Sequence, residues 1–443
     1  MTRLPDAALH SASLERDARQ IHDDHDASAG DIALGVVIGR MSEFFDFFVY
    51  AIGSALVFPA LFFPDFSPLH GTLMSFAVFS LAFVARPVGS FVFMAVDRRY
   101  GRGTKLTMAL FLLGGSTASI AFLPGFERIG WWAVAALALF RLGQGFALGG
   151  AWDGLSSLLS LNAPEHKRGW YAMMPQLGAP LGFLLASGLF AYIFSTLETE
   201  DFLSWGWRYP FFVAFAVNVV ALFARLRLVA TREFSTLLDK HELQPAGVFS
   251  LLDQEGRTVL IGAFVPLASF ALFHLVTVFP LAWIALKTDR SPADFMATQM
   301  VGAVLCLGSV VLSGLLADRI GRRRHLAIGA VLIGLFSLAS PFLLNGGRHG
   351  ETIFVLVGFT LLGLSFGQTS GALASNFSPR FRYTGAAITS DIAWLLGAAF
   401  APLVALSLSD LIGVSAVGAY LLSGALCTLA ALRVNRQLEI RDR

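Results

Sequence analysis

Apolar runs long enough to cross a lipid bilayer recur along this whole chain, divided by short polar connectors, and few folds accept that pattern. A helix needs roughly 20 apolar residues to span the hydrocarbon. Twelve runs are read, at Ile32–Phe58, Gly71–Met94, Lys105–Leu123, Ile129–Leu161, Tyr171–Thr196, Tyr209–Val229, Val259–Leu286, Phe295–Ala317, Leu326–Leu344, Thr352–Phe377, Thr384–Ser407 and Leu411–Arg433. Each must be helical, because a backbone N–H or C=O in hydrocarbon needs a partner inside its own segment or in a closed barrel. Runs this continuous lack the alternation of barrel strands. Composition agrees: the chain is 56% hydrophobic and only 14% charged, against about 45–50% and about 25% in soluble domains. A large soluble enzyme is excluded on that ground.

Charge then orients the helices. Of 32 Lys and Arg, 24 fall in the termini, the even-numbered connectors and the span ends beside them, five fall in the odd-numbered connectors, and Arg40, Arg86 and Arg141 lie deeper within spans. Basic residues accumulate on the cytoplasmic side, so both termini are expected inside the cell. Residues 1–30 mix acids, bases and His without an apolar core, which reads as a polar tail and not a signal peptide. The longest connector, 230–256, divides six spans from six. The expected organisation is a tail at 1–30, a six-helix bundle at 31–229, a cytoplasmic linker at 230–256, a second bundle at 257–434 and a tail at 435–443. Cys306 and Cys427 both sit in apolar runs and imply no disulfide framework.

The halves share a phrase. Residues 94–106 read MAVDRRYGRGTKL and residues 314–326 read GLLADRIGRRRHL, after the second and eighth spans. Two copies of one phrase, equivalently placed, mark a duplicated half. The second copy resembles the cytoplasmic signature of the major facilitator superfamily through Gly314, Asp318, Arg319, Gly321 and Arg322. In the first copy, aligned on Gly-Arg, Asp97 stands one position early, ahead of Arg102. On a helix one position is a turn of about 100°. Further stretches are similar to the metabolite–proton symporter family: SEFFDFFVYAIGSALVFPALFFP, SFAVFSLAFVARPVGSFVF, RLGQGFALGG, GWYAMMPQLGAPLG, WGWRYPF and PRFRYTG. The resemblance implies an all-α membrane protein of twelve transmembrane helices in two six-helix bundles. It also implies alternating access to a site near the membrane midplane.

Charged residues inside the spans are the candidates for chemistry. Glu43 and Asp46 are three apart on one face of the first helix. Glu43 is about 16 Å into that helix at 1.5 Å per residue, where a carboxylate is costly unless it faces water, pairs with Arg or is protonated. Either the two acids couple to protons, or they form a fixed ion pair joining helices. Arg86 carries a rigid guanidinium fork suited to a carboxylate. The resemblance makes it a natural substrate anchor; the alternative is a pair with Glu43 or Asp46. Arg141, near Gln144, stays charged at ordinary pH, so any part in proton coupling is electrostatic. His274 could titrate near neutral pH or be a plain core residue. Gln368 is a candidate polar contact for the solute. Asp391 either handles protons or pairs with Arg380 or Arg382, and Trp394, three residues on, is placed to wall a cavity.

Several acids expected from the resemblance are absent. Ala151 stands where Gly-Gly-Glu is usual, with Asp153 two residues later as a partial replacement. Asn162, Ser375 and Arg232 occupy other positions where the family has an acid or Pro. Losing latch partners is expected to weaken closure of the cytoplasmic end. The expectation that results is a proton-coupled secondary transporter of the bacterial inner membrane. It would take a small polar solute, an organic anion first and a zwitterion second, by symport or else by proton-coupled export, with a solute sensor as a weaker rival. It would act as a monomer in the lipid bilayer. No cofactor, metal or nucleic-acid partner is expected, and no phosphate loop, HExxH or paired nucleophile suggests an enzyme.

Overall fold

The computed structural model describes residues 29–151, 159, 163–229 and 244–435, and every regular element among them is helical. The first half contains α1 (Ala29–Leu56), α2 (Pro68–Tyr100), α3 (Arg102–Phe122), α4 (Trp131–Gly150), α5 (Gly178–Thr196) and α6 (Tyr209–Val229). A short helix, Arg168–Met173, leads into α5. The second half contains α7 (Val248–Phe264), α8 (Leu267–Thr277), α9 (Phe279–Lys287), α10 (Pro292–Ile320) and α11 (Arg322–Leu344). It continues with α12 (Gly347–Phe366), α13 (Thr369–Ser375), α14 (Arg382–Gly397), α15 (Ala401–Ile412) and α16 (Ser415–Val434).

Eleven described segments are long and apolar enough to cross a membrane. α1 is not among them, although its 28 residues would reach about 42 Å. Arg40, Glu43 and Asp46 crowd its middle third. The segment Leu267–Lys287 is almost wholly buried, whereas only about a third of Gly206–Leu226 is. The first therefore lies at the centre and the second at the periphery. Large apolar side chains such as Phe111, Trp132 and Phe342 point outward, as a lipid-facing surface requires and a water-facing one would not.

The repeated phrase has one structural job in both copies. Gly101 (φ 84°, ψ 164°) joins α2 to α3, and Gly321 (φ 86°, ψ 144°) joins α10 to α11. Each reverses the chain within one residue, in a backbone region that costs a side-chain-bearing residue about 1–3 kcal/mol.

Two close contacts fix the frame of the site. A Cβ on Gly145 would fall 2.1 Å from the Ala82 carbonyl oxygen, and one on Gly149 would fall 2.4 Å from that of Arg86. α2 and α4 thus meet backbone to backbone, as small residues permit in membranes. Across the halves α2 runs antiparallel to α14, touching at Asp97 with Tyr383 and Ser90 with Asp391, and Ser80 meets Ala399 just past the end of α14. The lead-in helix and α5 run antiparallel to α10 in the same way, with Gly169 at Asp318 and Gly188 at Met300.

Several spans read as continuous are interrupted. The fifth carries a 3-10 turn at Met174–Leu177, the seventh breaks at Pro266 and Val278, the tenth at Gln368 and the eleventh between Ala398 and Phe400. Pro175, Pro266, Pro280 and Pro402 stand at or next to breaks, and Pro supplies no N–H to an i−4 carbonyl. Part of the stretch read as linker is helical: α7 starts at Val248 and kinks at Glu255.

Candidate functional site

Where the halves meet, a cavity with about 600 Å³ of open space is walled by Arg40, Glu43 and Phe44 of α1, Phe83 and Arg86 of α2, and Trp394 of α14. A second cavity, with about 380 Å³ of open space, shares Arg40 and Trp394 with it. Its wall carries Gln176, Thr369, Ser370 and Ser390.

Arg86 faces the first cavity and pairs with Asp391, its Nε 2.6 Å from the carboxylate. Ser90, one turn further along α2, hydrogen-bonds the other carboxylate oxygen and approaches the Gly149 carbonyl at 3.2 Å. Asp391 is 3% exposed, so this is a buried ion pair bridging the two halves. Such a pair gains little net stability, but removing one partner strands a charge.

Glu43 lines the same cavity but is held on its own side. It pairs with Arg40 on α1 and with Arg225 on α6, the latter at 2.5 Å. Arg225 also donates to the Ala151 carbonyl at 3.1 Å. Asp46, one turn later, is turned away from the cavity into a polar cluster of the first half. The Thr117 hydroxyl lies 2.5 Å from its Oδ1, and Asn218 Nδ2 donates to the same oxygen at 3.1 Å. Gln144 Nε2 donates to Thr117 Oγ1 at 2.8 Å, and Arg141 Nη1 donates to Gln144 Oε1 at 3.0 Å. Arg141 therefore reaches Asp46 through Gln144. Its guanidinium lies 3.9 Å over the Tyr50 ring, a cation–π contact that helps to hold a desolvated cation.

Beyond the cavity lies an aromatic layer. His274 is fully buried, its ring centroid 5.4 Å from Phe47 and Phe79, 5.8 Å from Phe83 and 5.3 Å from Phe273. Neither of its ring nitrogens meets a hydrogen-bond partner. Trp394 stacks on Phe270 at 4.2 Å and also lines the cavity.

At the opposite end, where the signature lies, polar contacts join the halves. Gly169 and Trp170 N–H donate to the Asp318 carboxylate at 2.6 and 3.1 Å. Lys105 Nζ lies 2.9 Å from Asp97 and 2.7 Å from Tyr383 Oη. Arg102 is 3.5 Å from Asp97.

An all-helical bundle with a charged cavity between two repeated halves suits a solute carrier, and sequence relationships agree. Residues 32–258 match the Sugar (and other) transporter family. The chain is 38% identical over 416 residues to the inner membrane metabolite transport protein YhjE of Escherichia coli K12, which covers 93% of this chain and 94% of that protein. This chain belongs to the Sugar (and other) transporter family of the major facilitator superfamily. The E. coli shikimate transporter is 33% identical over 414 residues, covering 90% of this chain and 92% of its own. The proline/betaine transporter of Salmonella typhimurium LT2 is 29% identical over 374 residues, covering 81% and 74%. The proton:xylose symporter XylE shares the fold, with a TM-score of 0.69 at 17% identity over 92% of this chain and 95% of that one. A partially occluded inward-open form of XylE gives a TM-score of 0.67 at 16% identity, covering 90% and 96%. The protein is thus a multi-pass inner-membrane transporter and not an enzyme.

Against the sequence expectations, the transporter gathers some candidates and separates others. Arg86 and Trp394 line the cavity. Asp391 pairs with Arg86 and not with Arg380 or Arg382, because the antiparallel register of α2 and α14 sets Ser90 and Asp391 at one level. Arg86, in turn, pairs with neither Glu43 nor Asp46. Gln368 does not line either cavity: it marks the helix break before α13 and donates to the Gly169 carbonyl at 3.1 Å. His274 is enclosed by rings and does not reach the cavity wall. Arg322 donates to the Gly371 carbonyl at 3.2 Å within its own half, Gly314 packs on Met173, and Arg319 is exposed. Asp153, Asn162 and Arg232 lie outside the described residues. Arg40, Ser90, Thr117, Asn218 and Arg225 were not foreseen. The signals were present: Asn218 breaks an apolar run, and Arg40 stands three residues before Glu43.

Proposed function

We propose that this transporter moves a small polar metabolite bearing a carboxylate into the cell together with protons, by alternating access of the cavity at Arg86. The proposed frame is twelve spans, α1 included, with both termini and the signature end in the cytoplasm. Two six-helix bundles are joined by the 230–256 connector. Arg86 anchors the solute carboxylate, and Trp394 and Phe83 wall it. Asp46, with Arg141 near it, and Asp391 are the groups that carry protons. Asp318, Asp97, Arg102 and their partners hold the cytoplasmic end closed.

One observation carries this reading: a guanidinium on the cavity wall is held by a carboxylate of the opposite half. An Arg in such a place is an anion anchor by its geometry. A bond that crosses the halves is one that alternating access must make and break. The similarity to a shikimate transporter points to the same solute chemistry. A second reading, a zwitterion with a quaternary ammonium, draws on the rings Phe44, Phe47 and Phe83 along the cavity, which suit such a group, and on the similarity to proline/betaine transporters.

The test is a thermal-shift screen of purified protein with shikimate, 2-oxoglutarate, citrate, proline and glycine betaine. A ligand of the folded state raises the melting temperature. Stabilisation by a carboxylic acid, lost in Arg86→Gln, supports the anion reading. Stabilisation by glycine betaine alone transfers the assignment to the zwitterion. A carboxylate that stabilises Arg86→Gln as well as it does the unaltered protein refutes the anchor.

A further inference from the structure

We infer that Asp391 is a built-in stand-in for the solute carboxylate, so that solute can load on Arg86 only when Asp391 has taken up a proton. This rests on the reading of Arg86 as the anchor and goes beyond it by setting the order and number of protons.

Asp391 occupies the site a solute carboxylate would need. Its Oδ1 sits 2.6 Å from Arg86 Nε, and Arg86 is the only charged group within ion-pair distance of it among the described residues. With Asp391 buried and ionised, a second carboxylate on the one guanidinium would leave an uncompensated negative charge, which burial penalises heavily. If Asp391 is protonated instead, the arriving carboxylate restores the original charge of the cavity. Binding then exchanges one carboxylate for another, with one proton added.

Ser90 makes both charge states of Asp391 acceptable. Its hydroxyl donates to the Asp391 carboxylate while that carboxylate pairs with Arg86. A hydroxyl is one donor and two acceptor sites. When Asp391 carries a proton, its O–H can donate to Ser90 Oγ while Ser90 donates to the Gly149 carbonyl, already 3.2 Å away. Ser90 and the Asp391 carboxyl thus keep a hydrogen-bond partner in either state.

The step balances. One proton from the compartment open to the cavity bonds to Asp391 as the solute carboxylate takes its place at Arg86. On the other side the solute leaves, the proton departs and Asp391 returns to Arg86. One carboxylate and one proton cross per cycle through this pair.

Other ionisable groups around α14 do not compete for this role. On α1, Glu43 is already bound to Arg40 and Arg225. On α2, Asp97 lies at the signature end with Lys105. On α8, His274 is behind Trp394, ring to ring at 6.4 Å. On α7, Glu255 is bonded to Ser378, with Asp253 and Arg257 in the turns beside it. α13 carries no ionisable residue.

The experiment is calorimetric titration of the purified full chain with shikimate, 2-oxoglutarate and citrate, in buffers of differing ionisation enthalpy. For a carboxylate that binds, one proton is taken up per molecule wherever Asp391 begins ionised. There the affinity falls about tenfold per pH unit as pH rises. In Asp391→Asn the uptake disappears and affinity becomes independent of pH, while Asp391→Glu restores the slope. Infrared difference spectra of the unaltered protein gain a protonated-carboxyl stretch on binding, absent from Asp391→Asn. Carboxylate binding with no proton uptake overturns the inference and leaves the Arg86 anchor standing. Uptake that persists in Asp391→Asn but vanishes in Asp46→Asn overturns it as well. If no carboxylate of the panel binds, the anchor reading fails and this inference falls with it.

Discussion

The two copies of the signature phrase end in the same turn and close the molecule in different ways. In the second copy Asp318 reaches across to the first turn of the Arg168–Met173 helix and accepts two backbone N–H groups directly. A carboxylate at a helix N-terminus is favoured by the unpaired amides and the dipole together. In the first copy Asp97 sits one residue early and meets its own half's Lys105 and Arg102 first. Its link to α14 goes through the Tyr383 hydroxyl, 3.5 Å from Asp97 and 2.7 Å from Lys105. Tyr383 and Gly169 are each the second residue of their helix. The partner-half helices are therefore equivalently placed, and the difference comes from the acid. A single step in sequence changes a direct charge-to-backbone latch into a side-chain relay whose carboxylate is paired first within its own half.

That contrast predicts a graded series. Asp97→Ala should have the largest effect, about 3–5 kcal/mol, because it takes the carboxylate from the buried cations Lys105 and Arg102. The loss should appear as lower thermal stability of the whole protein, whichever way it faces. Asp318→Ala should remove about 2 kcal/mol, the scale of charge-assisted bonds to backbone. Here the loss should fall on the closed signature end alone. Spin-label distances across that end should lengthen in Asp318→Ala with the melting temperature nearly held. Equal lengthening in both variants would mean the copies do not differ as described. Gly101→Ala and Gly321→Ala should cost the same, about 1–3 kcal/mol each, because both turns need positive φ. Unequal costs would place part of the asymmetry in the turn itself. Tyr383→Phe should have the smallest effect, about 1 kcal/mol for one hydroxyl, read as a modest rise in cysteine accessibility at the signature end.

Much of this architecture can be read from the chain before any coordinates. Apolar length gives the spans, and the doubled Gly-Arg phrase gives the repeat. The candidate site is legible only in part. Arg86, Trp394 and the acids of α1 stand out because charge and polarity are rare in a membrane helix. Their pairing does not, because it depends on the register between helices far apart in sequence. Ser90 lies seven residues before Asp97, and Asp391 lies eight after Tyr383. Once the two helices run antiparallel from the signature end, the Arg86–Asp391 pair follows. Nothing local to either residue specifies that register; it is set where the halves dock, at Asp97 with Tyr383 and Ser90 with Asp391. Gln368 and His274 misled for the opposite reason. A polar residue in an apolar span suggests a ligand, yet one serves a helix break and the other is packed by aromatic rings.

The absence of an acid at position 151 also takes a physical form. Arg225, near the end of the sixth apolar run, is buried and binds Glu43 and the Ala151 backbone carbonyl. A peptide oxygen fills a place where the family resemblance leads one to expect a carboxylate. The signature end is nonetheless bridged in both halves, so its closure rests on the Asp318 and Asp97 contacts described above.

The central claim is that solute and proton move together through the Arg86 cavity. The direct measurement uses proteoliposomes that enclose a pH-sensitive dye, with the carboxylate found in the ligand screen added outside and no imposed gradient. The lumen should acidify in step with solute entry, and Arg86→Gln should abolish both. Solute entry without acidification, or with alkalinisation of the lumen, would contradict the account.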